Sequence, residues 1–143
     1  MTRGCTLHSS CAPKQCKTLG SLKSSGTGVV RLVGCAELPE RVRLALVELK
    51  EALSGLCGER LRGVYLYGSY ARGDFHPDSD VDVLIVLAGD VRPGDEISRY
   101  NPLVSEICLR HDLLISTFPV PAEWLDTRKD PFFETVRREA LLV

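Results

Sequence analysis

From Leu38 onward, apolar residues recur at intervals of three and four. Val42, Ala45, Leu46, Leu49, Leu53 and Leu56 share one stripe, with Arg41, Arg43, Glu48, Lys50 and Glu51 opposite. This predicts an amphipathic helix over 39–56, opened by Pro39 and ended by Gly55 and Gly58. The period then shortens. Residues 63–67 read as a buried strand stopping at Gly68, and VDVLIVL at 81–87 has the β-branched richness of a core strand over 81–88. Gly89 to Gly94 reads as a turn, Asp95 to Arg110 as a helix with Ile97, Leu103 or Val104, and Ile107 inward. Pro102 is expected to divide that helix. A third strand is expected over 112–118, opened by Asp112 and stopped by Pro119-Val120-Pro121. A helical turn carrying Trp124 as a core or interface anchor follows. The last helix, over 131–140, has Asp130 as its cap, Pro131 first, and Phe133, Val136 and Ala140 inward. Together these elements predict an α+β domain, a small mixed sheet packed by helices.

Two stretches carry chemistry. Gly68-Ser69 follows the first strand, where a glycine lets a phosphate approach the backbone and a helix start offers free N–H groups. Ser69 adds a hydroxyl, Arg72 a cation one turn later, and Gly73 a helix stop. Asp80 and Asp82 then open the core strand. Side chains alternate along a strand, so the two carboxylates share a face, roughly 7 Å apart along the chain. They repel each other there unless a cation intervenes. Mg²⁺ is suited to this position, because it takes one or two protein carboxylates and fills its shell with water and substrate phosphates. His76, in the loop Asp74-Phe75-His76-Pro77-Asp78, reads as a bystander, and Asp74 and Asp78 as solvated or capping residues.

Gly68-Ser69, ten residues, then Asp80-Val81-Asp82 resembles the G-S-x10-D-x-D signature of the DNA polymerase beta-like nucleotidyltransferase superfamily. More narrowly, GSYARGDFHPDSDVDVLIVL is similar to the minimal nucleotidyltransferases, commonly encoded beside a HEPN-domain protein, with Ser79-Asp80 supplying the S-D of their motif. The similarity extends over about 36–143, including the PFFETVRREALLV ending. It implies a polymerase-beta-like fold and a nucleoside triphosphate, ATP, bound through Gly68, Ser69, Arg72 and Ser79. It also implies a two-metal Mg²⁺ site. Asp80 and Asp82 would be two of its ligands, and a third carboxylate would come from an adjacent strand. Asp112 is the candidate for that third position, with Glu106 and Glu123 as alternatives. The implied activity is transfer of AMP to a tyrosine of a cognate HEPN toxin, which makes the chain an antitoxin. Two other readings stay open: a transferase for a small molecule such as an aminoglycoside, and a non-catalytic antitoxin that occludes its toxin.

Composition places these features in one domain. The chain has 143 residues and a net charge of −1, but residues 1–35 hold five basic residues and no acid. They form a basic segment expected to be disordered or loosely attached to a domain over 36–143. The acidic domain argues against direct nucleic-acid binding. No apolar run suggests a membrane span or a secretory leader, so a cytoplasmic protein with reduced cysteines is expected. Cys5, His8, Cys11 and Cys16 have a spacing that fits no usual zinc pattern, and Cys57 and Cys108 read as small apolar residues. Arg137 and Arg138 read as an exposed basic face within reach of a phosphate or a partner.

Overall fold

The computed structural model describes residues 31–32 and 37–143. Among these residues five strands form one mixed sheet, and helices cover both faces. In chain order the elements are β1 (Arg31–Leu32), α1 (Glu40–Cys57), β2 (Leu61–Tyr67), α2 (Ser69–Arg72), β3 (Val81–Leu87), α3 (Pro93–His111), β4 (Ile115–Pro121), α4 (Ala122–Thr127), α5 (Pro131–Glu139) and β5 (Leu141–Leu142). The sheet order is β1-β5-β2-β3-β4. β3 runs antiparallel to β2 and parallel to β4, while β5 is antiparallel to β2 and parallel to β1. The α+β fold expected from the sequence is the one observed.

β3 lies near the middle of the sheet and is buried on both faces. Val81, Val83, Ile85 and Leu87 meet the α1 and α3 side, where Val42, Leu46, Leu49, Leu53, Tyr100 and Ile107 complete the core. Leu84 and Val86 point to the other side, against Val120 and against Phe133 and Val136 of α5. Each such side chain contributes about 1.5–3 kcal/mol on burial. The strand is therefore held rigidly, and so is the start of the chain segment that carries the aspartates. The apolar stripe of α1 is as predicted up to Leu53. Past that point Cys57 takes the buried position, while Leu56 is exposed.

Two expectations are corrected, and one short pairing adds to the sheet. α3 runs unbroken through Pro102, which lies on its solvent side. β4 starts at Ile115 rather than Asp112 and continues through both prolines to Pro121. That continuation has a geometric cause. Leu114 accepts from the Val81 N–H, so even-numbered residues turn their backbone groups toward β3. Pro119 and Pro121 turn theirs to the side where no described strand pairs, so a missing N–H breaks no ladder bond among the described residues. Finally, Arg31 and Leu32 belong to the segment expected to lie outside the domain, yet they pair with Leu141 and Leu142 as the other edge strand. Cys5, His8, Cys11, Cys16 and the rest of 1–30 lie outside the described residues, as do 33–36.

Candidate active site

The end of β2 and the start of β3 lie side by side, with Tyr67 opposite Asp82. Just past that pair, Gly68 adopts φ 78°, ψ −154°, a conformation that only glycine enters readily. A Cβ at residue 68 would collide with the Asp82 carboxylate. Close approach of the backbone turn to the acid thus depends on glycine twice over, once for its dihedral angles and once for space.

α2 follows as a four-residue helix. Its hydrogen bonds begin with Ala71 and Arg72 donating to the Gly68 carbonyl, which leaves the Ser69 and Tyr70 N–H groups without intrahelical partners. So short a helix needs tertiary support. Tyr70 and Ala71 supply it, being buried in the core, and Tyr70 stacks on Phe75 at 4.3 Å between ring centroids. Gly73, in the left-handed region, ends the helix as expected. Arg72 is half-exposed and holds Asp74 at 3.2 Å and Glu139 of α5 at 3.8 Å. No local pattern marks Glu139, which reaches Arg72 only because α5 packs back across the sheet.

On the other side of the turn, the loop into β3 is closed by Ser79. Its N–H donates to the His76 carbonyl at 2.9 Å, and its hydroxyl accepts from the His76 N–H at 2.8 Å. The hydroxyl proton remains available to a ligand. Asp80 is exposed and Asp82 half-buried. Burial pushes the Asp82 carboxyl above its usual range, the Asp80 charge pushes the same way, and Arg72 opposes both. Tyr67 is likewise shifted upward by burial and then by Asp82. Two acids on a partly desolvated face, one resisting ionisation, form a donor set that a single divalent cation would neutralise.

The structure does not bring the third expected acid to this pair. Asp112 caps the C-terminus of α3 in the left-handed region, and its side chain is wholly exposed. Arg41 donates to its carbonyl at 2.8 Å and lies 3.6 Å from its carboxylate. Asp112 and Asp80 do line one cavity of roughly 440 Å³ with Asp78, Ser79 and Leu114. Among the described residues, however, no three of His, Cys, Asp or Glu stand close enough to hold a metal together. Glu106 is paired with Arg110 on exposed helix surface, and Glu123 is exposed on α4.

This arrangement, a glycine-serine turn beside two strand-borne aspartates, agrees with comparison to known proteins. The nucleotidyltransferase domain profile matches residues 46–136, from the middle of α1 to α5. The chain belongs to the nucleotidyltransferase domain family. Two proteins of Methanocaldococcus jannaschii, both named as candidate protein adenylyltransferases, are similar to it. One is 37% identical over 89 residues, covering 62% of this chain and 85% of the relative. The other is 34% identical over 85 residues, covering 59% and 78%. Among solved structures, a toxin-antitoxin crystallised with AMP-PNP superposes with TM-score 0.48 at 16% identity, over 73% of this chain and 72% of that one. A candidate nucleotidyltransferase from Sulfolobus solfataricus gives TM-score 0.45 at 20% identity, over 74% and 87%. Nucleotidyltransferase chemistry is thus this chain's family activity.

The remaining expectations are simply placed. His76 and Asp78 are exposed in the loop, and Asp74 pairs with Arg72. Trp124 meets Phe133 edge-on at 6.0 Å, with Arg128 over its ring at 4.6 Å, which makes it part of the second core. Cys57 and Cys108 are free thiols, and the Cys108 sulfur accepts from the Ile115 N–H at 3.3 Å. No described helix is long and apolar enough to cross a membrane.

Proposed function

We propose that the protein transfers AMP from ATP to a hydroxyl of a partner protein. On the narrower resemblance of its motif, that hydroxyl belongs to a tyrosine of a HEPN-domain toxin, which the modification silences. The observation that carries this reading is the register that sets Asp82 beside Gly68, so that a phosphate seated on the turn lies next to the acids. The two archaeal relatives support AMP as the transferred group and protein as the acceptor.

In this reading the Ser69 and Tyr70 N–H groups and the Ser69 hydroxyl receive the phosphates, and Arg72 offsets their charge. Asp80 and Asp82 hold Mg²⁺, which when bound neutralises phosphate charge and polarises the α-phosphoryl group. The acceptor oxygen forms a bond to the α-phosphorus, its proton passes to water, and the bond to the bridging oxygen breaks to release pyrophosphate. Alignment of the attacking and leaving oxygens is what the rigid β3 start contributes.

Intact-protein mass spectrometry of a HEPN protein encoded beside this chain, after incubation with ATP and Mg²⁺, tests the proposal. Mass gains in whole AMP units, absent with the Asp80→Ala, Asp82→Ala double variant, are expected. A partner that is bound and silenced without any mass change would replace transfer by occlusion.

A further inference from the structure

We infer that the β4 side chain facing the Asp80–Asp82 pair is Ser116, so that this chain's own residues hold one divalent cation at the site rather than two. The inference rests on the site reading proposed above and concerns what the third strand contributes to it.

The register decides the position. In the parallel ladder Val81 stands beside Ile115, Asp82 beside Ser116 and Leu84 beside Phe118. Neighbouring residues across a sheet point to the same face. Leu84 and Phe118 confirm this, since both enter the core under α4 and α5. Ser116, two residues back from Phe118, is therefore on the face of Asp82, and it is exposed. The next residue back on that face is Leu114, which is 60% exposed.

Asp112 would be one step further, but the chain has left the strand direction by then. Its φ of 54° and ψ of 56° turn the backbone, and the Leu113 N–H closes onto the Cys108 carbonyl of α3. Its exposed carboxylate faces Arg41. β4 and the residue just before it therefore present a serine and a leucine where an acid would be needed.

The consequence is one of charge. A two-metal site sets its ions about 3.5–4 Å apart, and that repulsion calls for several carboxylates in contact with them. A serine hydroxyl stays neutral near pH 7 and brings no such charge. Two aspartates, with phosphates and water, match the ordinary shell of a single Mg²⁺. The Ser116 hydroxyl is then a neutral hydrogen-bonding neighbour to that shell.

Counting bound Mn²⁺ by electron paramagnetic resonance, with a saturating ATP analogue that cannot be cleaved at the α-phosphorus, tests this directly. One ion per chain is expected for the wild type, and the same for Asp112→Asn and Ser116→Ala. Ser116→Asp is expected to add a second ion or tighten binding about tenfold. Thermal melts establish that each variant is folded. Two ions on the wild type, loss of an ion in Asp112→Asn, or no change in a folded Ser116→Asp would each overturn the inference. No Mn²⁺ held beyond that carried by free analogue, with Asp82→Asn indistinguishable from wild type, would overturn the site reading as well.

Discussion

Gly68 and Asp82 touch across the β2–β3 boundary so closely that no side chain larger than hydrogen fits at residue 68. Gly68→Ala must therefore displace the acid or the turn, and it must also hold an alanine at positive φ. We expect a stability loss of about 1–3 kcal/mol and loss of ATP binding, read by chemical denaturation and by calorimetric titration with ATP and Mg²⁺.

The raised pKa of Asp82 has a consequence for stability with a definite sign. Its cause is burial first and Asp80 second. A carboxyl that resists ionisation in the folded state favours folding below its unfolded pKa, and that contribution is lost as pH rises through the folded value. Asp82→Asn, which cannot ionise, should make the ligand-free protein more stable than wild type at neutral pH. The advantage should vanish as pH falls below the ordinary aspartate range. Melting curves across that window check it, while transfer activity should fall at least about 100-fold.

Arg72 opposes the upward shift of Asp82 and bridges α2 to Glu139. Arg72→Met should push the Asp82 carboxyl still higher, moving the acid limb of the activity profile toward neutral pH. It should also raise the KM for ATP more than it lowers kcat. A pH–rate profile for wild type and variant, taken at several ATP concentrations, separates the two effects.

Glu96 is the one buried charged residue among those described, held by Arg60 at 2.8 Å and Arg99 at 3.3 Å. Arg60→Ala leaves it with one partner, at a cost of about 1–3 kcal/mol. It lies at the opposite end of β3 from the aspartates, where Arg60 also donates to the Ala88 carbonyl at 3.3 Å. The midpoint of urea unfolding should therefore drop, while the rate per folded molecule stays unchanged.

Much of this architecture was legible in the chain because burial imposes a period. The stripe from Val42 to Leu53 and the apolar residues of the run from Val81 to Leu87 are all buried. The Asp130 cap and the inward Phe133 and Val136 were readable for the same local reasons. What was not readable depended on pairing. β1 and β5 are two residues each, too short to show alternation, and exist only because each has a neighbour. Pro119 and Pro121 look like breakers until β4 is known to be an edge. Asp112 illustrates the limit most sharply. An acid before an apolar run reads as a strand opening, yet the β3–β4 register assigns the facing position to Ser116. Glu139 beside Arg72 was likewise invisible, being a contact between distant segments.

Nucleotidyl transfer at the Asp80–Asp82 site can be read by following two phosphorus atoms of ATP separately. Parallel reactions with a HEPN acceptor, Mg²⁺ and ATP labelled at either the α- or the γ-phosphorus would be compared on the recovered protein. The expected result is α-label on the acceptor, γ-label only in released pyrophosphate, and neither on the acceptor with Asp82→Asn. Transfer of the γ-label, or α-label that persists in Asp82→Asn, would contradict it.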